Sequence, residues 1–134
     1  MGALNQFSGS TCLVTGGLGF IGSNMANSLA AAGAQVCVLD ALIEQHGGDE
    51  RNIDPSLNTI SVERGNIADD QVVEQLLDGV DFIFNIAGQV SHHESMVNPL
   101  LDAEFNVTSQ LKFLESVRRS RPSAVVVHTS TRQV

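Results

Sequence analysis

Tyrosine and tryptophan are absent from the 134-residue sequence, and Lys112 is its single lysine. A reaction that needs a tyrosine as proton donor therefore cannot run within these residues. Positive charge is scarce altogether: seven Lys and Arg stand against fifteen Asp and Glu, for a formal charge of −8. That balance opposes any partner held by phosphate neutralisation, so no nucleic-acid ligand is expected. Each of the two cysteines, Cys12 and Cys37, lies inside an apolar run, which suits a small core residue better than a disulfide or a metal ligand. No stretch comes near the roughly 20 apolar residues of a membrane span. Residues 1–10 carry no basic-then-apolar leader, so a cytoplasmic protein without a membrane partner is expected.

With 43% hydrophobic and 16% charged residues, the chain can bury a core, and its length fits one domain over 1–134. Short β-type runs alternate with helical ones, the pattern of βαβ units and a parallel sheet. Strands are predicted over 10–15, 35–40, 58–63, 81–85 and 124–129. A helix over 20–32 follows the first strand, with Ile21, Met25 and Leu29 on one face and Gly33 as its stop. A second covers 69–77, where Asp69 and Asp70 favour the N-terminus and Val72 and Val73 stack over Leu76 and Leu77. The longest is predicted over 99–120. It has Pro99 in the first turn, an apolar face of Phe105, Val107, Leu111, Leu114 and Val117, and Arg118, Arg119 and Arg121 at the negative end of its dipole. Between 41 and 57 lies one long irregular stretch with a Gly47-Gly48 turn, of the kind that is usually functional or mobile. Only 130–134 follow the fifth strand, with no helix to cover that side of the sheet, so the sequence reads as truncated there and prone to self-association.

Thr15-Gly16-Gly17-Leu18-Gly19-Phe20-Ile21-Gly22 lies directly between the first strand and the first helix. In that context Gly16 or Gly17 suits a tight turn, Gly19 a close approach by pyrophosphate, and Gly22 close packing of helix on strand. The helix N-terminus then presents free N–H groups and a positive dipole end to phosphates. Asp40 closes the second strand, where a carboxylate accepts hydrogen bonds from the ribose hydroxyls of a dinucleotide and repels a 2′-phosphate. The nearest basic residue downstream is Arg51, so NAD is expected over NADP.

The string TGGLGFIG resembles the extended short-chain dehydrogenase/reductase family, the NAD-dependent epimerases and dehydratases of nucleotide sugars. The resemblance runs through all 134 residues but covers only the N-terminal part of a complete member. It implies a Rossmann-like, doubly wound α/β fold with strand order 3-2-1-4-5 and the glycine loop at the crevice between strands one and four. Gly65-Asn66-Ile67 is similar to the family's Gly-Asp-Ile, whose acid meets the adenine amino group; Asn66 departs from it, yet its amide oxygen can also accept. Asn85-Ile86-Ala87-Gly88 is similar to the segment that passes the cofactor's ribose and pyrophosphate. The resemblance thus implies cofactor contacts from Gly16, Gly19, Phe20, Ile21, Gly22, Asp40, Asn66, Ile67, Ala87 and Gly88. Ser130-Thr131-Arg132-Gln133-Val134 resembles the family's Ser-Ser-x-x-Val segment and gives Thr131 the role of polarising the reacting sugar oxygen, with Thr129 and Ser130 beside it. The family's Tyr-x-x-x-Lys pair, which does the acid–base work, has no counterpart in this chain.

Among the remaining residues, His92-His93-Glu94 lacks a third spaced ligand, and no metal is expected there. His46 is expected to be exposed, and His128 to hydrogen-bond at a strand end. Asn106, a poor helix former, is expected either to bond a loop backbone near the cofactor or to lie on the helix surface. Phe105, Leu111 and Leu114 suit burial against the sheet or a homodimer contact. The functional expectation is the NAD-binding part of a nucleotide-sugar epimerase or dehydratase, acting on a UDP-sugar by transient hydride transfer and inactive as it stands. The loop 40–53 and the stretch 85–99 look more like 4-epimerase-type members. The alternatives are a non-catalytic dinucleotide-binding sensor or scaffold, and a flavin or NADP reductase of the same fold, which Asp40 counts against.

Overall fold

A computed structural model of the protein describes residues 4–44, 46–89 and 91–130. Five strands form one parallel sheet: β1 (Thr11–Thr15), β2 (Gln35–Asp40), β3 (Ile60–Arg64), β4 (Phe82–Asn85) and β5 (Val125–His128). Their order is β3-β2-β1-β4-β5, as expected, so the chain steps outward from β1 through β2 to β3 and then returns to the other side of β1. This reversal leaves a crevice at the carboxyl ends of β1 and β4. In register, Glu63, Leu39, Thr15, Asn85 and His128 form one row across the sheet at that edge.

Alternation along the strands splits the core between two faces. Cys12, Val14, Val36, Val38 and Phe84 pack with Ala26, Leu29 and Ala30 of helix α1 (Phe20–Ala31). Leu13, Leu39 and Ile83 pack on the opposite face with Val73 of α2 (Asp70–Leu76), Leu77 and, from α5 (Ser109–Ser120), Phe113 and Val117. Asp69 caps α2 by accepting from the Gln71 and Val72 amides. Cys12 is fully buried and Cys37 half-buried, both as free thiols, and burial pushes both thiols up, Cys12 to about 11. Among the described residues no helix is long and apolar enough to cross a membrane.

Between β4 and α5 the chain forms α3 (His92–Val97), α4 (Pro99–Ala103) and a wide-turn π segment (Glu104–Thr108) that runs straight into α5. The single helix predicted over 99–120 is therefore interrupted, and its expected apolar face is corrected as well. Val107, Leu111 and Leu114 are exposed, whereas Ser109, Gln110, Phe113, Ser116 and Val117 face the core. At about 3.6 residues per turn Leu111 and Leu114 lie roughly opposite Phe105, whereas Ser109, Phe113 and Ser116 fall within about a quarter turn of it, so the predicted residues do not share one face. Ile21 likewise leaves the expected helix face: Leu29 is buried and Met25 half-buried, but Ile21 is exposed. Val125 and Val127 lie exposed on β5, the bare side that the sequence predicted.

Candidate functional site

The crevice at the carboxyl edge encloses about 820 Å3, within the usual range of small-molecule sites. All ten residues predicted to meet a dinucleotide line it, from Gly16 on one side to Gly88 on the other. Thr131 lies outside the described residues.

Four glycines of the loop differ in what their missing side chains leave free. Gly16 has φ +64°, and a Cβ there would come within 2.8 Å of the Ala87 Cα. At Gly17 a Cβ would lie 2.6 Å from Val38 Cγ1, and at Gly22 it would run into the carbonyl oxygen of Gly16. Those three are required by the protein's own packing. Gly19 is not: its φ is −73°, and the nearest atom to a Cβ would be the Gly16 oxygen at an ordinary 3.4 Å. Gly19 precedes α1 and lines the crevice, so the space it leaves open faces the helix N-terminus. The first amide of that turn with a backbone acceptor in the helix is Ser23, bonded to the Gly19 carbonyl at 3.0 Å. Phe20, Ile21 and Gly22 thus offer their N–H groups to an anion.

Asp40 carries two duties at the end of β2. Its Oδ2 accepts from the Leu18 amide at 3.0 Å and its Oδ1 from the Leu42 amide at 2.9 Å. Each carboxylate oxygen keeps a further lone pair for a ligand hydroxyl. The loop beyond is irregular, as predicted, but anchored: Asn52 Nδ2 and the Asp49 amide both donate to the Leu18 carbonyl, at 2.8 and 3.1 Å. Asn66 is exposed at the rim, and its Oδ1 accepts from the Ala68 amide at 2.9 Å. One lone pair of the predicted adenine acceptor is therefore committed to its own turn.

On the far side, Asn106 stands in the π segment and accepts from the Gln89 amide at 2.9 Å, the loop-backbone bond expected of it. His46 departs from expectation. Its side chain is only 19% exposed, with Nε2 3.2 Å from Glu94 Oε2 and its ring edge-on to Phe105. A contact across 48 positions in sequence leaves no local signature. Sequence reasoning also missed Ser109 and Gln110, which line the crevice and are buried. The available signal was phase: both lie three or four positions before Phe113, on the face that meets the sheet. Among the described residues no group of three or more His, Cys, Asp or Glu could hold a metal.

The family model described as GDP-mannose 4,6 dehydratase matches residues 13–134. The chain belongs to the extended short-chain dehydrogenase/reductase family of nucleotide-sugar epimerases and dehydratases. It is 34% identical over 124 residues to CDP-paratose 2-epimerase of Salmonella typhi, covering 91% of this chain and 37% of that protein. The structure of an epimerase from Methanothermobacter thermautotrophicus superposes with a TM-score of 0.86 at 33% identity, over 96% of this chain and 37% of that one. The UDP-glucose 4-epimerase of Thermus thermophilus, crystallised in complex with NAD, gives 0.71 at 33% identity, over 82% of this chain and 34% of that one. The chain thus spans little more than a third of the length of these family members.

Proposed function

We propose that these residues form the NAD-binding part of a nucleotide-sugar epimerase or dehydratase, whose substrate is a UDP-sugar. The observation that carries the reading is Gly19: in a loop whose other glycines are needed for internal packing, it alone leaves open space, directly before a helix N-terminus. The α1 amides would face the pyrophosphate, Asp40 would take the adenosine ribose, and Asn66 with Ile67 would border the adenine. Ala87 and Gly88 would border the other half of the cofactor. NAD, when bound, supplies a hydride acceptor that can return the hydride to the sugar. Asp40 favours NAD over NADP, because a carboxylate repels a 2′-phosphate. Soluble ligands of this kind fit a cytoplasmic protein.

The proton chemistry has no tyrosine to use here, and Lys112 lies on the exposed side of α5. A second reading is a dinucleotide-binding sensor or scaffold without turnover. On either reading the 134-residue chain binds the dinucleotide and does not turn over sugar. Isothermal titration with NAD and NADP, on the wild type and on Asp40→Asn, tests the site. Saturable NAD binding that weakens in the variant is expected; a folded chain that binds neither cofactor would overturn the reading. Adding UDP-glucose with NAD and following formation of an epimerised or dehydrated sugar product separates the two readings in any longer form of the protein.

A further inference from the structure

A chain of hydrogen bonds, buried at Thr15, Asn85 and Gln110, runs from the glycine-loop strand to the exposed His128, and each link orients the next. Thr15 Oγ1 accepts from the Ala87 amide at 3.2 Å and from the Ile86 amide at 3.1 Å, the latter shared with the Thr15 carbonyl at 3.3 Å, so the hydroxyl oxygen faces donors. Its one proton is therefore donated, to Asn85 Oδ1 at 2.6 Å. That fixes the orientation of the Asn85 amide, which is fully buried, and turns its Nδ2 protons to the other side. One meets Gln110 Oε1 at 2.8 Å, and Gln110 is oriented independently because its Nε2 donates to the Ala87 carbonyl at 2.7 Å. The other points to His128 Nδ1 at 3.1 Å. A nitrogen that faces a donor must be an acceptor, so Nδ1 bears no proton and the ring's N–H sits at Nε2.

His128 lines the crevice on the β4–β5 side, opposite Asp40 and Asn66. Resting on the dinucleotide reading above, we infer that His128 is a tautomer-locked donor whose Nε2–H serves an oxygen on the nicotinamide riboside half of the cofactor. With Nδ1 spent on Asn85, Nε2–H is the only polar edge the ring has left for a ligand. The nicotinamide riboside offers acceptors of the right kind, a carboxamide oxygen and two ribose hydroxyls, whereas the adenosine half belongs to the β2–β3 side. Asn85 acts here as a positioning residue: it reaches the ligand only through the imidazole.

Two measurements test this. Two-bond proton–nitrogen correlation spectra of the histidine-labelled protein, with His128 assigned by its loss in His128→Phe, should show the Nε2–H form without any ligand. A proton on Nδ1 overturns the lock. In Asn85→Asp, a carboxylate replaces the amide donor and should move the ring proton to Nδ1; an unchanged tautomer in that variant, if it folds, likewise overturns it. For the ligand, NAD and ADP are titrated into wild type and His128→Phe. NAD affinity should fall roughly five- to tenfold, the loss of one hydrogen bond, while ADP, lacking the whole nicotinamide riboside, falls clearly less. Equal losses for both ligands, or none, overturn the assignment of His128 to the nicotinamide end. A folded wild type that binds neither ligand overturns the dinucleotide reading itself, and the ligand half of this inference with it, whereas the tautomer result stands apart from that failure.

Discussion

Asp40 Oδ2 accepts a hydrogen bond from the Leu18 amide at 3.0 Å, which ties the end of β2 to the middle of the glycine loop. The Leu18 carbonyl is held from its other side by Asn52. An Asp40→Asn substitution therefore does more than remove a charge: one of its two acceptors becomes an NH2 group facing an amide N–H. We expect a stability loss of about 1–3 kcal/mol by urea unfolding and a fall in NAD affinity of more than tenfold by titration. Asn52→Ala removes a separate bond to the same loop residue, at the Leu18 carbonyl, without touching the carboxylate. It should cost about 1 kcal/mol of stability and keep most of the affinity. Were both variants to lose affinity equally, Asp40 would be a brace for the loop and not a ribose ligand.

The glycines separate folding from binding. A Cβ at Gly22 collides with the Gly16 carbonyl, so Gly22→Ala should lower the unfolding midpoint sharply, as overpacking of a close backbone contact does, by about 1–3 kcal/mol or more. Gly19→Ala meets nothing closer than 3.4 Å and should leave stability within about 0.5 kcal/mol of wild type. Its methyl group would stand where phosphate must approach, so NAD affinity should fall by at least roughly tenfold, about 1.4 kcal/mol. Paired thermal melts and titrations on the two variants read this directly. If Gly19→Ala bound NAD as well as wild type, the open space would need another explanation.

What the sequence conveyed about this site was its short local motifs, one βαβ unit and the segments directly after β3 and β4. Strand, glycines, helix and Asp40 are local, their periods are clear, and all ten predicted residues from Gly16 to Gly88 converge on one crevice. What it concealed depends on phase or on distance. The π segment Glu104–Thr108 has no composition of its own, and the large apolar side chains Leu111 and Leu114 drew the expected face outward, whereas the buried face runs through Gln110 and Phe113. Ser109 and Gln110, being polar, gave no compositional sign of burial, although Gln110 meets the buried Asn85 amide. The contact of His46 with Glu94 joins two segments whose approach only the finished sheet determines.

His46 pins the loop after β2 to α3 across the mouth of the crevice, through Glu94 and the edge of Phe105. A half-exposed pair of this kind contributes about 0–1 kcal/mol to global stability, so His46→Ala should barely move the thermal midpoint. Its effect should be local. Amide hydrogen exchange over 42–48 should accelerate several-fold, and NAD should dissociate faster in stopped-flow displacement. Unchanged exchange in that segment would mean that Asn52 and Asp49 hold the loop without help from His46.

Burial, with a contribution from Asp81, pushes the Cys12 thiol up to about 11 from an ordinary 9.0. The native state therefore prefers the neutral thiol. Stability from this group is complete below pH 9, declines as pH rises, and is gone above about pH 11; a shift of this size corresponds to about 2–3 kcal/mol. Cys37 shifts in the same direction. With no tyrosine and one lysine in the chain, few other side chains titrate in that window. The urea midpoint should fall between pH 9 and 11, and Cys12→Ala, though less stable at neutral pH, should show a shallower fall. Parallel slopes for the two proteins would refute the thiol as the cause.

The two sides of α5 differ in what they do, and substitution distinguishes them. Phe113 is fully buried against Leu13 and Ile83 on the sheet, so Phe113→Ala should cost about 3–5 kcal/mol and unfold much of the population at moderate temperature. Leu111 is 63% exposed beside Leu114 and Val107, and these three form an apolar stripe that suits a contact between two copies of the chain. Leu111→Glu should change monomer stability by no more than about 0.5 kcal/mol while lowering any self-association seen by sedimentation velocity. Should Leu111→Glu destabilise the chain as strongly as Phe113→Ala, the helix would be packed by its Leu111 and Leu114 side, and the buried face described for α5 would be refuted.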